Sequence, residues 1–246
     1  MNWRKGKLAI ANAINLDLTP QQIYFAQSLR RYVRPGCRWL DVGCGHTLLP
    51  DWAMPMDEQQ RLVGSAALMV GVDMDEGIVN HPLLPYRIMA VGGMLPFKNG
   101  TFDLVTANMV VEHVGDPSSF LSDISRVLRP GGRFLFITPN RLNPYILVAR
   151  MVPDRIKRKI VWYLEGRQEE DIFPTHYRLN DVGAIRRLAS QTEFETEDLT
   201  FIGMPGLLER LGPLAWIECF LLKGLDLFSR NLQMDIVGVL RRRYSQ

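Results

Sequence analysis

Apolar positions along the chain fall into two alternating rhythms. From residue 20, Ile23, Phe25, Ala26, Leu29 and Val33 recur at helical spacing, and the pattern ends at Arg34-Pro35-Gly36. Thr19-Pro20 reads as an N-cap followed by a proline suited to a first helical turn. Short runs that are apolar nearly throughout come next, over residues 37–42, 68–73, 86–90 and 103–107. A helix over 118–128 places Phe120, Leu121, Ile124, Val127 and Leu128 on one face. Pro130-Gly131-Gly132 stops it, and a fifth strand is expected over 133–138. Another helix near 181–190 and strands near 198–202 and 235–240 complete the alternation. Short strands apolar on both sides, interleaved with helices, predict an α/β fold: a doubly wound, mostly parallel sheet covered on both faces. Segments 141–175 and 203–233 do not fit a minimal alternation and read as lid-like insertions.

The strand over 37–42 runs into Asp41-Val42-Gly43-Cys44-Gly45-His46-Thr47. In a doubly wound sheet, the crevice beyond the carboxyl end of the first strand is where a nucleotide-like ligand sits. Glycine serves there because a side chain would block the ligand's approach to the backbone. A dinucleotide fingerprint needs a third glycine three residues after Gly45, and that position is Leu48. Asp41 would also set a carboxylate near a pyrophosphate. A ligand with an ammonium and a sulfonium and no phosphate suits that acid better, which disfavours a nicotinamide-dependent oxidoreductase. Asp73 ends the second strand, where a carboxylate can accept both hydroxyls of a ribose. The competing reading of Asp73 is a helix N-cap, with Glu76 three residues on.

At this point the chain resembles a known family. Leu40-Asp41-Val42-Gly43-Cys44-Gly45, Gly71-Val72-Asp73, Leu95-Pro96-Phe97, Phe102-Asp103-Leu104-Val105, Glu112-His113-Val114 and residues 126–133 (RVLRPGGR) occur in this order. Together they resemble the class I S-adenosylmethionine-dependent methyltransferases, in particular the subgroup of quinone-biosynthesis and natural-product enzymes. The resemblance covers about residues 36–140 and is weaker from His176 onward. It implies a single methyltransferase domain over 1–246, with a seven-stranded sheet of order 3-2-1-4-5-7-6 and the last strand antiparallel. The helical insertions would then lie over the carboxyl edge.

The resemblance implies S-adenosylmethionine as cofactor. Asp41, Gly43, Cys44 and Gly45 would meet its methionine and ribose, Asp73 the ribose hydroxyls, and Met74 the adenine. Asn108 would line the methionine side. Three departures stand out. Thr47 replaces the third glycine of the family's turn. Val91 replaces an acid facing the adenine amino group, leaving the backbone of Val91 and Gly92 to meet the ring. Asp41 and Asp73 lie 32 residues apart, longer than the usual spacing, with extra sequence around 52–64.

Methyl transfer from a sulfonium is an in-line displacement that needs alignment, exclusion of water and removal of a proton from a hydroxyl or amine acceptor. His113, after the fourth strand, is the first candidate base, because imidazole titrates near neutrality; its alternative is to fix the loop. His176 would contact substrate or cap the helix that follows it. His46 and His81 are not assigned roles, and Asp103 reads as structural. Some relatives carry a metal-binding glutamate where this chain has Met109, so no metal is expected.

Composition narrows the remaining choices. Lys and Arg number 29 against 26 Asp and Glu, a balance that gives no case for nucleic-acid binding. Cys37, Cys44 and Cys219 form no C-x-x-C pair, which fits a reducing compartment and a cytoplasmic protein. Arg4, Lys5 and Lys7 precede a short apolar run broken by Asn12, read as the start of a helical lead-in over 1–35 rather than an export signal. No apolar stretch is long enough to span a bilayer. The insertions are rich in large apolar groups, and 141–167 holds seven Lys or Arg. They would pack as a lid, line a hydrophobic acceptor pocket, or make a peripheral contact with a membrane surface. The expected activity is O-methylation of a hydrophobic or lipid-linked small molecule. A glycan or sugar acceptor is the alternative, as is a non-catalytic subunit that keeps the fold, suggested by Val91 and Thr47.

Overall fold

The computed structural model describes residues 11–14, 16–17, 19–90, 94–151, 174–203 and 214–244. Seven strands, β1 Arg38–Val42, β2 Leu68–Asp73, β3 Tyr86–Met89, β4 Phe102–Asn108, β5 Leu128–Pro139, β6 Phe194–Ile202 and β7 Asp235–Arg242, form one sheet in the order β3-β2-β1-β4-β5-β7-β6. β1 to β5 pair in parallel, and β7 runs antiparallel to both β5 and β6. This is the order the motif set implies. The described helices are α1 Gln21–Tyr32, α2 Met56–Ser65, α3 Pro117–Val127, α4 Pro144–Met151, α5 Val182–Gln191 and α6 Leu214–Phe228.

Both faces of the sheet are buried, which is why the strands read as continuous apolar runs. Leu40, Val42, Phe134 and Phe136 pack with Phe120, Ile124 and Ile185 of α3 and α5. Their chain neighbours Trp39, Leu135 and Ile137 point the other way and pack with Phe25 and Leu29 of α1 and Val63 of α2.

Several boundaries move. α1 begins at Gln21 with Pro20, not Thr19, at the N-cap and no side-chain bond; Asp17 instead accepts the Thr19 N–H at 2.8 Å. α3 has the stronger start: Asp116 accepts from the Ser118 and Ser119 N–H groups, with proline at the first position. β5 starts at Leu128 rather than at 133. Leu128 pairs with Phe102, the register shifts, and Arg133 pairs with Leu104, so Pro130-Gly131-Gly132 is a bulge inside the strand pair. The extra sequence between β1 and β2 holds α2, whose buried Gln59 bonds the backbone of Leu49 and Met54. Asp103 is structural, accepting from the Arg38 N–H at 2.7 Å and pairing with Arg129 at 2.6 Å. Arg241 and Arg242 pair with Glu195 and Glu193 beside β6, which accounts for those two charges within the sheet.

The carboxyl ends of β1, β2, β4 and β5 share one edge. The segment after α6 is tied there: Asn140 Nδ2 donates to the carbonyls of Asn231 and Gln233, and Asn143 Nδ2 to that of Leu232. Five of the seven basic residues of 141–167, residues 204–213 and the first ten residues of the lead-in lie outside the described residues. No helix among the described residues is long and apolar enough to cross a membrane.

Candidate active site

The turn after β1 is built by two residues with left-handed backbone, Gly43 (φ +67°) and Gly45 (φ +54°). The N–H groups of Gly43 and Cys44 both donate to the Val72 carbonyl, at 2.7 and 3.3 Å, so the turn folds back across the end of β2. A Cβ on Gly43 would overlap the Val110 side chain. A Cβ on Gly45 would meet nothing within 4 Å, so the turn presents open space on that side.

Asp73 points at this turn. Its Oδ2 accepts from Gly45 N–H at 2.7 Å and its Oδ1 from Asp75 N–H at 2.9 Å. Asp75, not Asp73, caps the short 3₁₀ turn Glu76–Asn80, accepting from Gly77 N–H at 2.6 Å. That excludes the N-cap reading of Asp73. Each carboxylate oxygen has more than one lone pair, so further hydroxyl donors can still be accepted. Met74 beside it is 59% exposed, and Cys44 is buried, with its thiol pushed up by that burial.

Asp41 lies behind the turn. Its carboxyl is buried and accepts from Thr106 Oγ1, its neighbour across the β1–β4 pair. Thr106 in turn accepts from Trp39 Nε1 at 2.8 Å. Burial pushes the Asp41 carboxyl up to about 7; the Thr106 hydrogen bond opposes this and the Asp73 charge adds to it. Asn108, at the end of β4, exchanges amide hydrogen bonds with Gln22 in the first turn of α1, at 2.8 and 3.3 Å. Val91 and Gly92 lie outside the described residues. The loop after them is anchored on α3: Asp123 accepts from Leu95 N–H at 2.6 Å, and Arg126 donates to the carbonyls of Leu95 and Phe97.

The two candidate catalytic histidines are brought together. His113 follows the short 3₁₀ turn after β4, and its Nδ1 lies 2.9 Å from the Pro174 carbonyl. The His176 ring lies over Gly115, and the N–H groups of His176 and Tyr177 both donate to the Glu112 carbonyl. Met109 (φ 57°) and Tyr177 (φ 51°) are the described non-glycine residues in left-handed conformation, and they flank this corner from its two sides. Such strain costs about 1–3 kcal/mol per residue and gathers at functional sites. His46, in the turn, sits 3.6 Å from Asp75, while His81 is buried, accepts from the N–H groups of Leu83 and Leu84, and is held down to about 4 by burial. Among the described residues no group of three His, Cys, Asp or Glu is arranged to hold a metal ion.

Asp235, at the start of β7, is buried beneath the same corner. Burial, with the Glu112 charge adding, pushes its carboxyl up to about 8. Folding therefore takes up a proton at Asp235 between the ordinary carboxyl value and about pH 8. Its contribution to stability is largest in acid, declines as pH rises through that window and levels off above it. Asp235→Asn is expected to remove this decline, so that its Tm gains on that of the unmodified chain by several degrees between about pH 5 and about pH 9. Thermal melts across pH check it, and equal slopes in both proteins would contradict it.

Sequence reasoning missed Gln22, Thr106 and Asp235. Each acts through a partner far away in the chain, and no local pattern marks it.

A family model described as "Methyltransferase domain" matches residues 19–199. The chain belongs to the methyltransferase domain family. Its fold is that of the class I S-adenosylmethionine-dependent methyltransferases. A ubiquinone biosynthesis O-methyltransferase of Xanthomonas oryzae pv. oryzae is 34% identical over 123 residues, covering 50% of this chain and 52% of the relative. The chain thus spans about half the length of the curated relatives it matches. Among solved structures, an S-adenosylmethionine dependent methyltransferase from Mesorhizobium loti superposes with a TM-score of 0.56 at 18% identity, over 88% of this chain and 96% of that one. The geranyl diphosphate C-methyltransferase of Streptomyces coelicolor A3(2), solved with S-adenosyl-L-homocysteine, gives 0.51 at 16% identity over 89% and 78%.

Proposed function

We propose that this methyltransferase passes the methyl group of S-adenosylmethionine to an oxygen of a hydrophobic or lipid-linked small molecule. The observation that carries the reading is the open turn at Gly45 with the Asp73 carboxylate turned onto it. The cofactor supplies a methyl group on an electrophilic sulfonium. Asp73 accepts its ribose hydroxyls, and exposed Met74 covers the adenine. Gly43, Cys44 and Gly45 let the chain approach closely, and the cationic end draws the buried Asp41 carboxyl behind them back toward its charged form. Asn108, held by Gln22, lines the methionine side. His113 takes the acceptor proton and His176 contacts the acceptor.

α6 points to the class of acceptor. Ile217, Phe220, Leu221 and Leu227 recur at helical spacing and are each more than half exposed, while Cys219 and Leu222 face inward. The segment after this helix is tied to the carboxyl end of β5, beside the candidate site. An apolar stripe there suits an apolar acceptor, or a membrane surface from which one is drawn. The O-methyltransferase name of the Xanthomonas relative supports oxygen as the methylated atom.

The test incubates the purified protein with methyl-labelled S-adenosylmethionine and a total lipid extract, followed by mass spectrometry. Label in an apolar product as an alkali-stable ether is expected. Label only in water-soluble sugars would favour the glycan alternative. No transfer to any fraction by a protein that binds S-adenosylhomocysteine would favour the non-catalytic one.

A further inference from the structure

Glu112 occupies the junction between the loop after β4, the end of β5 and the segment leading to α5. Only 4% of its surface is exposed. Its Oε2 accepts from Thr138 Oγ1 at 3.2 Å, and Thr138 accepts from Asn180 Nδ2 at 2.6 Å. Its main-chain carbonyl takes the N–H groups of His176 and Tyr177, at 2.7 and 3.2 Å. Its Oε1 lies 3.9 Å from His113 Nε2. On the far side of that ring, Nδ1 meets the Pro174 carbonyl, which can only accept, so Nδ1 carries the proton of the neutral imidazole and Nε2 the lone pair. The basic nitrogen and the buried carboxylate therefore face each other.

We infer that Glu112 is the positioning residue of the proton-accepting histidine: the Pro174 carbonyl sets the ring, and Glu112 holds the imidazolium formed during transfer. The inference rests on the methyl-transfer reading above. The acceptor oxygen bonds the methyl carbon as the carbon–sulfur bond breaks with its electron pair left on sulfur. The hydroxyl proton passes to His113 Nε2. One positive charge leaves the sulfonium and one appears on the imidazole, where a carboxylate shielded from water attracts it strongly. The proton is returned to water when the product leaves. Asp235 of β7 is a buried neighbour in this corner, and burial, with the Glu112 charge adding, pushes its carboxyl up. Among the described residues, the charged or titratable groups near it include Asp116 at the cap of α3, His176, Tyr177, Arg178, which donates to the Gly115 carbonyl, and the Arg141–Asp181 pair.

The test needs no acceptor. The His113 ring signals of the full chain, saturated with S-adenosylhomocysteine, are followed by NMR from about pH 5 to about pH 9. In Glu112→Gln, which keeps the size and the Thr138 bond, the ring transition is expected at lower pH by about a tenfold loss of proton affinity. Glu112→Asp, which keeps the charge, should restore most of it. An unchanged transition in Glu112→Gln overturns the inference. So does an equal shift in both variants, which would mark Glu112 as a packing residue. Binding of S-adenosylhomocysteine should be unaltered in both. Failure of the unmodified chain to bind it faults the methyl-donor reading, and the ring titration, then run on the unliganded chain, still decides the role of Glu112.

Discussion

Asp73→Ala is expected to lower the affinity for S-adenosylhomocysteine about 100-fold or more. Two ribose hydroxyls donating to one carboxylate are charge-assisted hydrogen bonds, each contributing about 1.5–3 kcal/mol. At about 1.4 kcal/mol per decade, losing both exceeds two decades. The substitution also releases Gly45 N–H and Asp75 N–H, which the carboxylate holds at 2.7 and 2.9 Å, so the turn itself loosens. Asp73→Asn keeps the size but loses the charge and presents an amide donor to one of those N–H groups. It should fall between the two, at about a tenfold loss. Calorimetric titration of the three proteins checks the order, and equal affinities would remove Asp73 from the site.

The two turn glycines should separate folding from binding. Gly43→Ala forces a left-handed backbone on alanine and drives its Cβ into Val110, behind the turn. Backbone strain and overpacking together cost about 2–4 kcal/mol, a fall in Tm of about 5–15 °C in a domain of this size. Gly45→Ala carries the same kind of backbone cost, about 1 kcal/mol, but its Cβ meets no protein atom within 4 Å. Its Tm should drop by only a few degrees while affinity for S-adenosylhomocysteine falls about tenfold or more, because the new methyl group occupies the ligand's side of the turn. Thermal melts and titrations on both variants test this. Parallel losses in the two would mean that the open side of Gly45 is not where the ligand lies.

Much of this architecture is written locally. β2 ends where its apolar run ends, at Asp73, because a strand buried on both faces has no polar position until it emerges. α3 declares itself through Asp116-Pro117 and its apolar stripe. β5 was harder to bound: glycine and proline at 130–132 look like a stop, yet they form a bulge within a continuous strand pair. The glycine turn and Asp73 were legible because close backbone approach and a strand-end acid are local requirements. The rest of the corner was not. Asp235 reads as the first residue of a strand, and only the insertion of β7 between β5 and β6 buries it near Glu112. Gln22 and Asn108 are 86 residues apart, and neither has a neighbour that betrays the other. Glu112 was visible as half of an E-H pair, but its carboxylate facing Nε2 depends on the Pro174 carbonyl, 61 residues past His113, to turn the ring.

On the proposed reading, the turn following β1, with Asp73 turned onto it, is the seat of a sulfonium nucleoside. Side-by-side calorimetric titration of the unmodified chain with S-adenosylhomocysteine and with NAD(H) decides it. Saturable binding of the first at one ligand per chain, well below millimolar concentration, with no heat from the second, is the predicted result. Silence toward S-adenosylhomocysteine up to millimolar concentration, or tighter binding of the dinucleotide, would contradict it.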